Sequence, residues 1–267
     1  MDFSTLIGLI IAFGSVIAGF IMEKGTITSL FILSSLFIVF GGTWGAIIAS
    51  FGFHDLIAAF KALFNSYFNK NQPDPEKLVK KISEMADACR KEGLLKLQTM
   101  LNDSDINDDN YLPLKEGMIL TLDMKPAEEI EAAMQSDLDT YTMKKQMEIE
   151  IFQSAGGFSP TLGIIGTVMG LVQVLGNMTD ASELTKAISS AFIATLYGIC
   201  FANLLYFPAA NRLKTILKRQ TVFREMMVEG ICLIASGKSS RDVENQLSLY
   251  YHVFPGGEKK YKDGINN

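Results

Sequence analysis

The sequence predicts an all-α integral membrane protein: four transmembrane helices with a large helical cytoplasmic loop and a helical cytoplasmic tail. Apolar residues make up 48% of the 267 residues, and the mean hydropathy of +0.22 is high for a soluble protein. Four stretches of at least 20 residues carry no charged side chain, and about 20 apolar residues cross the hydrocarbon core as a helix. Long buried helices of a soluble core are the disfavoured alternative, because soluble helices average about 11–12 residues.

The uncharged stretches set the boundaries of the predicted elements. These are transmembrane helix 1 at 3–22, transmembrane helix 2 at 27–51, a cytoplasmic helical loop at 52–150, transmembrane helix 3 at 151–178, transmembrane helix 4 at 187–210 and a cytoplasmic tail at 211–267. The first helix has no basic residue before it and no small-residue cleavage site after it. We therefore expect a retained anchor rather than a secretory signal.

Further helices are predicted in the loop and the tail. Apolar residues at helical spacing predict a helix over 74–101, with Asp74 at its start. Two more helices are predicted over 112–121 and 127–152, the second leading into transmembrane helix 3. The tail is expected to continue helix 4 over 211–235, and its last dozen residues are expected to be frayed.

The basic residues predict the orientation in the membrane. The two short connections carry one basic residue each, Lys24 and Lys186, whereas the loop and the tail carry several near their membrane ends, including Lys144, Lys145 and Arg212. By the positive-inside rule the loop, the tail and both termini are cytoplasmic.

The composition disfavours several functional classes. The net charge of −5 gives no global basic signal for nucleic acid. Three scattered cysteines and two histidines predict neither a disulfide framework nor a metal site. An enzyme would need a nucleophile–base pair or a set of metal ligands. We therefore expect no enzyme, no metal and no cofactor.

Small residues line one face of transmembrane helix 3 and one face of transmembrane helix 4. On helix 3 they are Gly156, Ser159, Pro160, Gly163, Gly166, Thr167 and Gly170, and on helix 4 they are Ala191, Ala194, Thr195, Gly198 and Ala202. Small residues allow helix backbones to approach closely in membranes. Packing of the two helices on each other is one interpretation. Packing around a further helix is favoured, since two small faces exceed what a single pair needs.

Neither helix 3 nor helix 4 contains a charged or titratable Asp, Glu, Lys, Arg or His. Ion carriers need a titratable or coordinating group at depth, so a carboxylate would have to come from another chain. The deepest polar groups include the hydroxyls of Thr167 and Thr195, and the alternative for each is a bond to its own backbone carbonyl. A stand-alone secondary transporter would usually show broken helices and buried charges of its own.

Three motifs in this sequence resemble those of the MotA family of flagellar-motor stator subunits. They are GGFSPTLGIIGTVMGL at 156–171, ATLYG at 194–198 followed by PAANRLK at 208–214, and GGTWGA at 41–46. The resemblance covers essentially the whole chain and the order of its spans. The related ExbB and TolQ energisers lack the first hairpin, so the connection at 22–26 favours MotA. A TolQ/ExbB-like energiser of another envelope machine is the alternative.

The resemblance implies a subunit of the bacterial inner membrane that forms a homo-oligomeric ring, a pentamer, around a MotB dimer. Each MotB helix would bring the Asp that this chain lacks, and ion flow would turn the ring against the rotor protein FliG. The implied ion-pathway residues are Thr167, Thr195, Ala194, Gly163, Gly166 and Gly170. Sodium-driven relatives tend to carry a Thr where Ala194 stands, so the resemblance favours protons over sodium.

The resemblance also implies a rotor contact and two coupling prolines. Arg90, with Lys91 and Glu92, stands where the family contacts the rotor, although the alternative is a solvated helix face. The family's acidic partner position holds Gln98 here, and either Glu92 or Asp103 is a candidate to replace it.

Pro160 and Pro208 match the family's two prolines beside the ion path. Each proline lacks an amide donor and frees a carbonyl, so each allows a bend in its helix.

Overall fold

The computed structural model describes residues 3–68, 73–101, 108–176 and 181–257, and every regular element in these ranges is helical. The α-helices are α1 (Phe3–Met22), α2 (Leu33–Leu36), α3 (Gly42–Phe68), α4 (Pro75–Glu92), α5 (Lys96–Met100), α6 (Leu112–Leu122), α7 (Ala127–Gly176), α8 (Ala181–Phe201), α9 (Phe207–Ala235) and α10 (Ser240–Ser248). Short 3₁₀ helices lie at Ile27–Leu30, Asp109–Tyr111 and Leu249–Val253, and π-helical turns lie at Phe37–Gly41 and Ala202–Tyr206. The prediction of an all-helical fold is confirmed for the described residues.

The chain divides into two compact units. The first unit comprises Met1–Lys70 and Gln146–Lys214, and the second comprises Asn71–Lys145 and Thr215–Asn267.

Three helical runs are long and apolar enough to cross a membrane. They are Leu33–Phe68, Ala127–Gly176 and Leu184–Ala235. The segment predicted as transmembrane helix 4 lies within the third run, and those predicted as helices 2 and 3 overlap the first and second runs over most of their length. The predicted first span coincides with α1. Within it, Ile7–Met22 is an apolar helix that is shorter than the three runs.

The run Leu33–Phe68 departs from the predicted helix over 27–51. A 3₁₀ turn at Ile27–Leu30 precedes it, and the run is α-helical from Leu33 and passes through the π turn at Phe37–Gly41. It then continues to Phe68, and the predicted end of the span falls on a kink at Gly52, where φ is 77° and ψ is 169°. Only glycine adopts this backbone conformation readily. The helix is therefore kinked at Gly52, and it resumes on the other side of this residue.

Aromatic rings pack together in the first unit. The ring centroids of Trp44 and Phe60 lie 5.1 Å apart, those of Phe60 and Phe152 lie 5.6 Å apart, and those of Trp44 and Tyr206 lie 5.7 Å apart. Edge-on and tilted aromatic pairs of this kind add to the free energy of burial. The cluster fixes α3 against α7 and against the π turn that precedes α9.

Arg212 caps the C-terminal end of α3. Its Nη2 donates to the carbonyl oxygen of Ser66 at 2.6 Å, its Nε donates to the Ser66 hydroxyl at 3.1 Å, and its guanidinium lies 4.8 Å from the ring centroid of Tyr67. Carbonyls in the last turn of a helix lack partners within the helix, and a cation there also opposes the negative end of the helix dipole.

The second unit has an apolar core built from α4, α5, α6, α9, α10 and the first turns of α7. Its fully buried members include Leu78, Ile82, Met85, Leu97, Leu114, Met118, Ile130, Met226, Ile231, Val243 and Leu247. Helices α6 and α7 lie where the sequence predicts them, and α9 continues to Ala235 as predicted. The helix α10 that follows has a capping box formed by Ser239 and Asp242.

The helix predicted over 74–101 starts as expected but is interrupted. The Asp74 carboxylate accepts hydrogen bonds from the backbone N–H groups of Glu76 and Lys77, at 3.0 and 3.4 Å. The helix ends at Gly93, whose φ of 84° is a conformation that favours glycine. The prediction of one continuous helix is therefore wrong, and a short α5 follows the turn. The fraying expected for the end of the tail falls largely outside the described residues.

We expect Gly52→Ala to lower the free energy of unfolding by roughly 1–3 kcal/mol, because a Cβ is strained at this backbone conformation. No atom lies within 4 Å of a Cβ placed there, so crowding contributes nothing. Gly45→Ala is the matched control, since Gly45 is helical and equally uncrowded. Thermal unfolding of the detergent-solubilised protein is the measurement, and equal melting temperatures for the two variants would contradict the prediction.

Candidate functional site

The backbones of α7 and α8 lie in direct contact along their small faces. A Cβ placed on Gly198 would lie 2.6 Å from the carbonyl oxygen of Ser159, and one on Gly163 would lie 3.0 Å from the carbonyl oxygen of Ala194. Farther along, a Cβ on Gly170 would lie 2.8 Å from the Cβ of Ala191. Larger side chains do not fit at these positions, so the glycines permit the close approach of the two helices.

The two predicted threonines meet across this contact. Thr167 Oγ1 and Thr195 Oγ1 are hydrogen-bonded to each other. Thr167 Oγ1 also lies 3.1 Å from the carbonyl oxygen of Gly163 and 3.0 Å from that of Ala191. Each hydroxyl has a single proton, so one threonine donates to the other and the second donates to a carbonyl. Both side chains are half-buried, which leaves part of the pair accessible from outside the contact.

A third hydroxyl joins the two helices nearby. The fully buried Ser159 donates from Oγ to the carbonyl oxygen of Gly198 at 3.0 Å. The contact between α7 and α8 therefore carries a line of hydroxyls and carbonyls that is polar but uncharged.

Polar contacts on the other side of α8 were missed by the sequence analysis. Ser35 is buried in α2, and its Oγ donates to the carbonyl oxygen of Ser190 at 2.9 Å. The hydroxyl of Tyr197 donates to the carbonyl oxygen of Leu30 and lies 3.4 Å from the backbone N of Ile32. Two adjacent serines in an otherwise apolar run, Ser34 and Ser35, were the available signal for this contact.

The small faces of α7 and α8 pack against each other within the single chain. The expectation that they also pack around a further helix stays a prediction. In the described part of the first unit, the exposed apolar side chains of α7 lie away from this contact. They include Ile164, Ile165, Val168, Met169 and Val172.

The two predicted prolines have different local structures. Pro160 lies inside α7, which continues through it. Pro208 is the second residue of α9, which begins directly after the π turn at Ala202–Tyr206. Pro208 has no N–H to donate to the carbonyl of Leu204, and π turns accommodate such a loss by widening the helix. The distortion expected at Pro208 is thus present just before it.

The predicted rotor-contact residues lie at the end of α4 in the second unit, and all three are exposed. Lys91 Nζ lies 2.5 Å from an Asp87 carboxylate oxygen, and Glu92 lies 2.9 Å from Lys96 Nζ. Arg90 forms no ion pair with any described residue.

Arg90 acts on α10 only at longer range. The pKa of the Asp242 carboxyl is lowered first by hydrogen bonds from Ser239 and to a smaller extent by the charges of Lys238 and Arg90. Gln98, at the position of the family's acidic residue, is exposed, and Asp103 lies outside the described residues.

Two family models match the chain. The model described as the MotA/TolQ/ExbB proton channel family matches residues 107–226, and the one described as the motility protein A N-terminal region matches residues 6–93. Motility protein A of Bacillus subtilis (strain 168) is 34% identical over 251 residues, which cover 94% of this chain and 91% of that protein. Chemotaxis protein PomA of Vibrio alginolyticus is 32% identical over 94% of this chain and 95% of its own length.

Two solved structures share the fold over nearly the full length. The structure of C. jejuni MotAB has a TM-score of 0.84 at 28% identity and covers 96% of this chain and 97% of its own. The flagellar MotAB stator complex from Bacillus subtilis has a TM-score of 0.83 at 33% identity, with coverage of 97% and 98%.

We expect Gly163→Leu and Gly170→Leu to separate α7 from α8 while the protein still inserts in the membrane. Forcing a Leu into a packed contact costs about 1–3 kcal/mol, which corresponds to a melting temperature lower by roughly 2–10 °C. Gly157→Leu is the matched control, because Gly157 lies on the same helix with no atom within 4 Å of its Cβ position. A melting temperature of either variant equal to that of Gly157→Leu would contradict the packing.

Proposed function

Because this chain belongs to the MotA/TolQ/ExbB proton channel family and is an ion-channel subunit of the flagellar motor stator, we propose which of its residues carry the ion path and which contact the rotor. It is a multi-pass inner-membrane protein and a channel and motor component rather than an enzyme. Full-length relatives are motility proteins, and the match to the motility protein A N-terminal model favours the stator over a TolQ/ExbB-like energiser.

The observation that carries the proposal is the uncharged character of the contact between α7 and α8. Thr167, Thr195 and Ser159 offer hydroxyls, but the sequence places no Asp, Glu, Lys, Arg or His within 151–176 or 187–211. A hydroxyl relays a proton along hydrogen bonds and does not hold one at neutral pH. The carboxylate that accepts the ion therefore comes from a second chain, in agreement with the need for such a group at depth.

We assign this second chain to a MotB dimer surrounded by a ring of five copies of the present chain. Two features support the assignment. Both structural neighbours are MotAB complexes by name. The apolar face of α7, with Ile165 and Val168, is exposed in the single chain, and a membrane helix that associates with others presents such a face to a neighbouring helix or to lipid.

Ions pass beside the threonine pair and not through the α7–α8 contact itself. Thr167 and Thr195 are half-buried and reachable, whereas Gly163 and Gly166 are buried. Gly163, Gly166 and Gly170 serve the path by allowing the approach that positions the hydroxyls. Ala194, also buried, offers a methyl where a hydroxyl would supply another oxygen ligand for sodium. The coupled ion is a proton, which is the ion in the family's description.

Four helices span the membrane in this proposal, α1 being the first span, and both termini are cytoplasmic. The support is the distribution of Lys and Arg, which places 52–150 and 211–267 on the cytoplasmic side. Pro160 and Pro208 are the coupling prolines. The π turn before Pro208 supports this role, since π turns frequently mark functional sites in helices.

The end of α4 contacts the rotor protein FliG. Arg90, Lys91 and Glu92 are exposed together there, and only Arg90 lacks an ion-pair partner among the described residues. Its charge is therefore available to a carboxylate on the rotor.

We expect proteoliposomes that contain this chain alone to be proton-tight, because its spans contain no carboxylate. Co-reconstitution with the MotB partner should give flux, and a partner whose membrane Asp is replaced by Asn should not. A pH-sensitive dye inside the vesicles reports the flux under an imposed membrane potential. Robust flux from the chain alone would refute the division of the site between two chains.

We expect Arg90→Glu to reduce motor torque while proton flux and ring assembly are unchanged, because the residue lies outside the ion path. Reversing an acidic residue on FliG should partly restore torque. Lys80→Glu, an exposed change on the same helix, is the control and should leave torque intact. Torque is measured on tethered cells at matched protein levels, and loss of the ring in Arg90→Glu would move Arg90 to the interface between subunits.

A further inference from the structure

The part of α3 that follows the kink at Gly52 carries an exposed apolar stripe. Its members recur three or four residues apart and are 45% to 67% exposed: Phe53, Ile57, Phe60, Phe64 and Phe68. At about 100° per residue they fall within about 80° of the helix circumference. The rings of Phe64 and Phe68 pack against each other, with centroids 4.4 Å apart. Contiguous exposed apolar patches mark interaction surfaces.

The opposite side of the same helix packs on the chain. Ala59 is fully buried there, the Ser66 carbonyl accepts a hydrogen bond from Arg212, and the Tyr67 ring lies against the Arg212 guanidinium. The helix is therefore held through its inner side, and the apolar stripe is directed away from the chain.

Polar side chains border the stripe along one edge. His54, Lys61 and Asn65 are exposed, and at helical spacing they occupy the adjoining arc of about 40°. The exposed side of the helix is thus apolar along one line and polar along the next, over a length of about 24 Å. A lipid–water interface changes from apolar to polar in the same way, and amphipathic helices with an aromatic apolar face lie in that interface.

The position of the kink places this helix at a membrane surface. The membrane-capable run begins at Leu33 and is kinked at Gly52. Residues 33–52 have a helical length of about 30 Å, which is the thickness of the hydrocarbon core. A chain that enters the hydrocarbon near Leu33 therefore leaves it near Gly52, and residues 53–68 begin at the boundary between acyl chains and headgroups.

We propose that residues 53–68 form an interfacial helix on the cytoplasmic leaflet of the membrane. Its apolar stripe lies among the acyl chains just below the headgroups, and Lys61 is directed to the lipid phosphates, which attract cations near the surface. The choice of leaflet, but not the lipid contact, rests on the proposed cytoplasmic side of 52–150. The beginning of the predicted cytoplasmic loop is then bound to lipid and is not surrounded by water.

The test uses tryptophan as a depth probe in the complete stator complex, this chain with its MotB partner. The complex is reconstituted in vesicles whose lipids carry bromine on the acyl chains near the headgroup, because bromine quenches tryptophan emission on contact. Phe64→Trp and Ile57→Trp place the probe on the stripe at two independent positions. Asn65→Trp is the matched control, one residue away on the polar edge.

The emission of the unchanged complex, to which Trp44 contributes, is subtracted from that of each variant. We expect the brominated lipids to remove most of the emission added at 64 and at 57 and little of the emission added at 65. All three substitutions are at exposed positions, so the melting temperatures should stay close to that of the unchanged complex.

Three results would overturn the inference. Unquenched emission at short wavelength from both stripe positions would show that protein, such as a second copy of this chain, covers the stripe. Unquenched emission at long wavelength would show that the stripe lies in water. Equal quenching at 64 and 65 would place the helix inside the hydrocarbon and not at its boundary.

These outcomes are independent of the proposed function. Brominated lipid quenches from either leaflet, so a reversed orientation of the chain would leave the result unchanged. Proton flux through the complex tests the ion path separately, and its failure would leave the lipid contact standing.

Discussion

The first unit depends on the direct contact between the backbones of α7 and α8. A Cβ at Gly198 would lie 2.6 Å from a carbonyl oxygen of the opposite helix, closer than real Cβ contacts, and one at Gly163 would lie 3.0 Å from such an oxygen, tighter than most real contacts. Because the helices approach so closely, the hydroxyls of Thr167 and Thr195 reach each other and Ser159 reaches the carbonyl of Gly198. In a membrane no hydrophobic effect drives helices together, so this packing and these hydrogen bonds supply the association.

In the proposed function, this contact forms the chain's own part of the ion path. A charged group at the centre of a membrane helix costs about 2.5–3.5 kcal/mol on insertion scales, and this chain avoids that cost entirely in its last two spans. In the proposed function, the chain contributes a polar but uncharged surface to the ion path. The second chain places its carboxylate next to the hydroxyls of Thr167 and Thr195, which are already held by hydrogen bonds.

Irregular backbone recurs where the proposed function is placed. The π turn at Ala202–Tyr206 precedes Pro208, Gly52 kinks the run Leu33–Phe68, and Gly93 ends α4 three residues after Arg90. Pro208 has no N–H to donate, and the two glycines adopt a positive φ, so the regular α-helix is interrupted at or near each of these residues. At Gly93 the result is a turn after which Leu95 is exposed whereas Leu97 is buried.

The sequence by itself determined the helical class, the approximate positions of the membrane-capable runs, the family and the absence of Asp, Glu, Lys, Arg and His from the last two predicted spans. These properties follow from composition and from the spacing of charges, which act locally or over a single span. Asp74 at the start of α4 and the helices α6 and α7 were predictable for the same reason. The continuation of α3 past Gly52 could not be predicted. A positive φ at a glycine bends a helix, and no hydrophobic pattern indicates such a bend.

Only the tertiary structure decided which faces meet. The sequence offered two small faces and could not say that Gly163 and Gly198 bring the two helix backbones into direct contact within the chain. It could not distinguish Leu95 from Leu94 and Leu97, nor join Ser35 to Ser190, because these outcomes depend on contacts between residues distant in the chain. Side-chain direction after a glycine turn, and the pairing of helix faces, are set by packing of the whole unit and not by any local pattern.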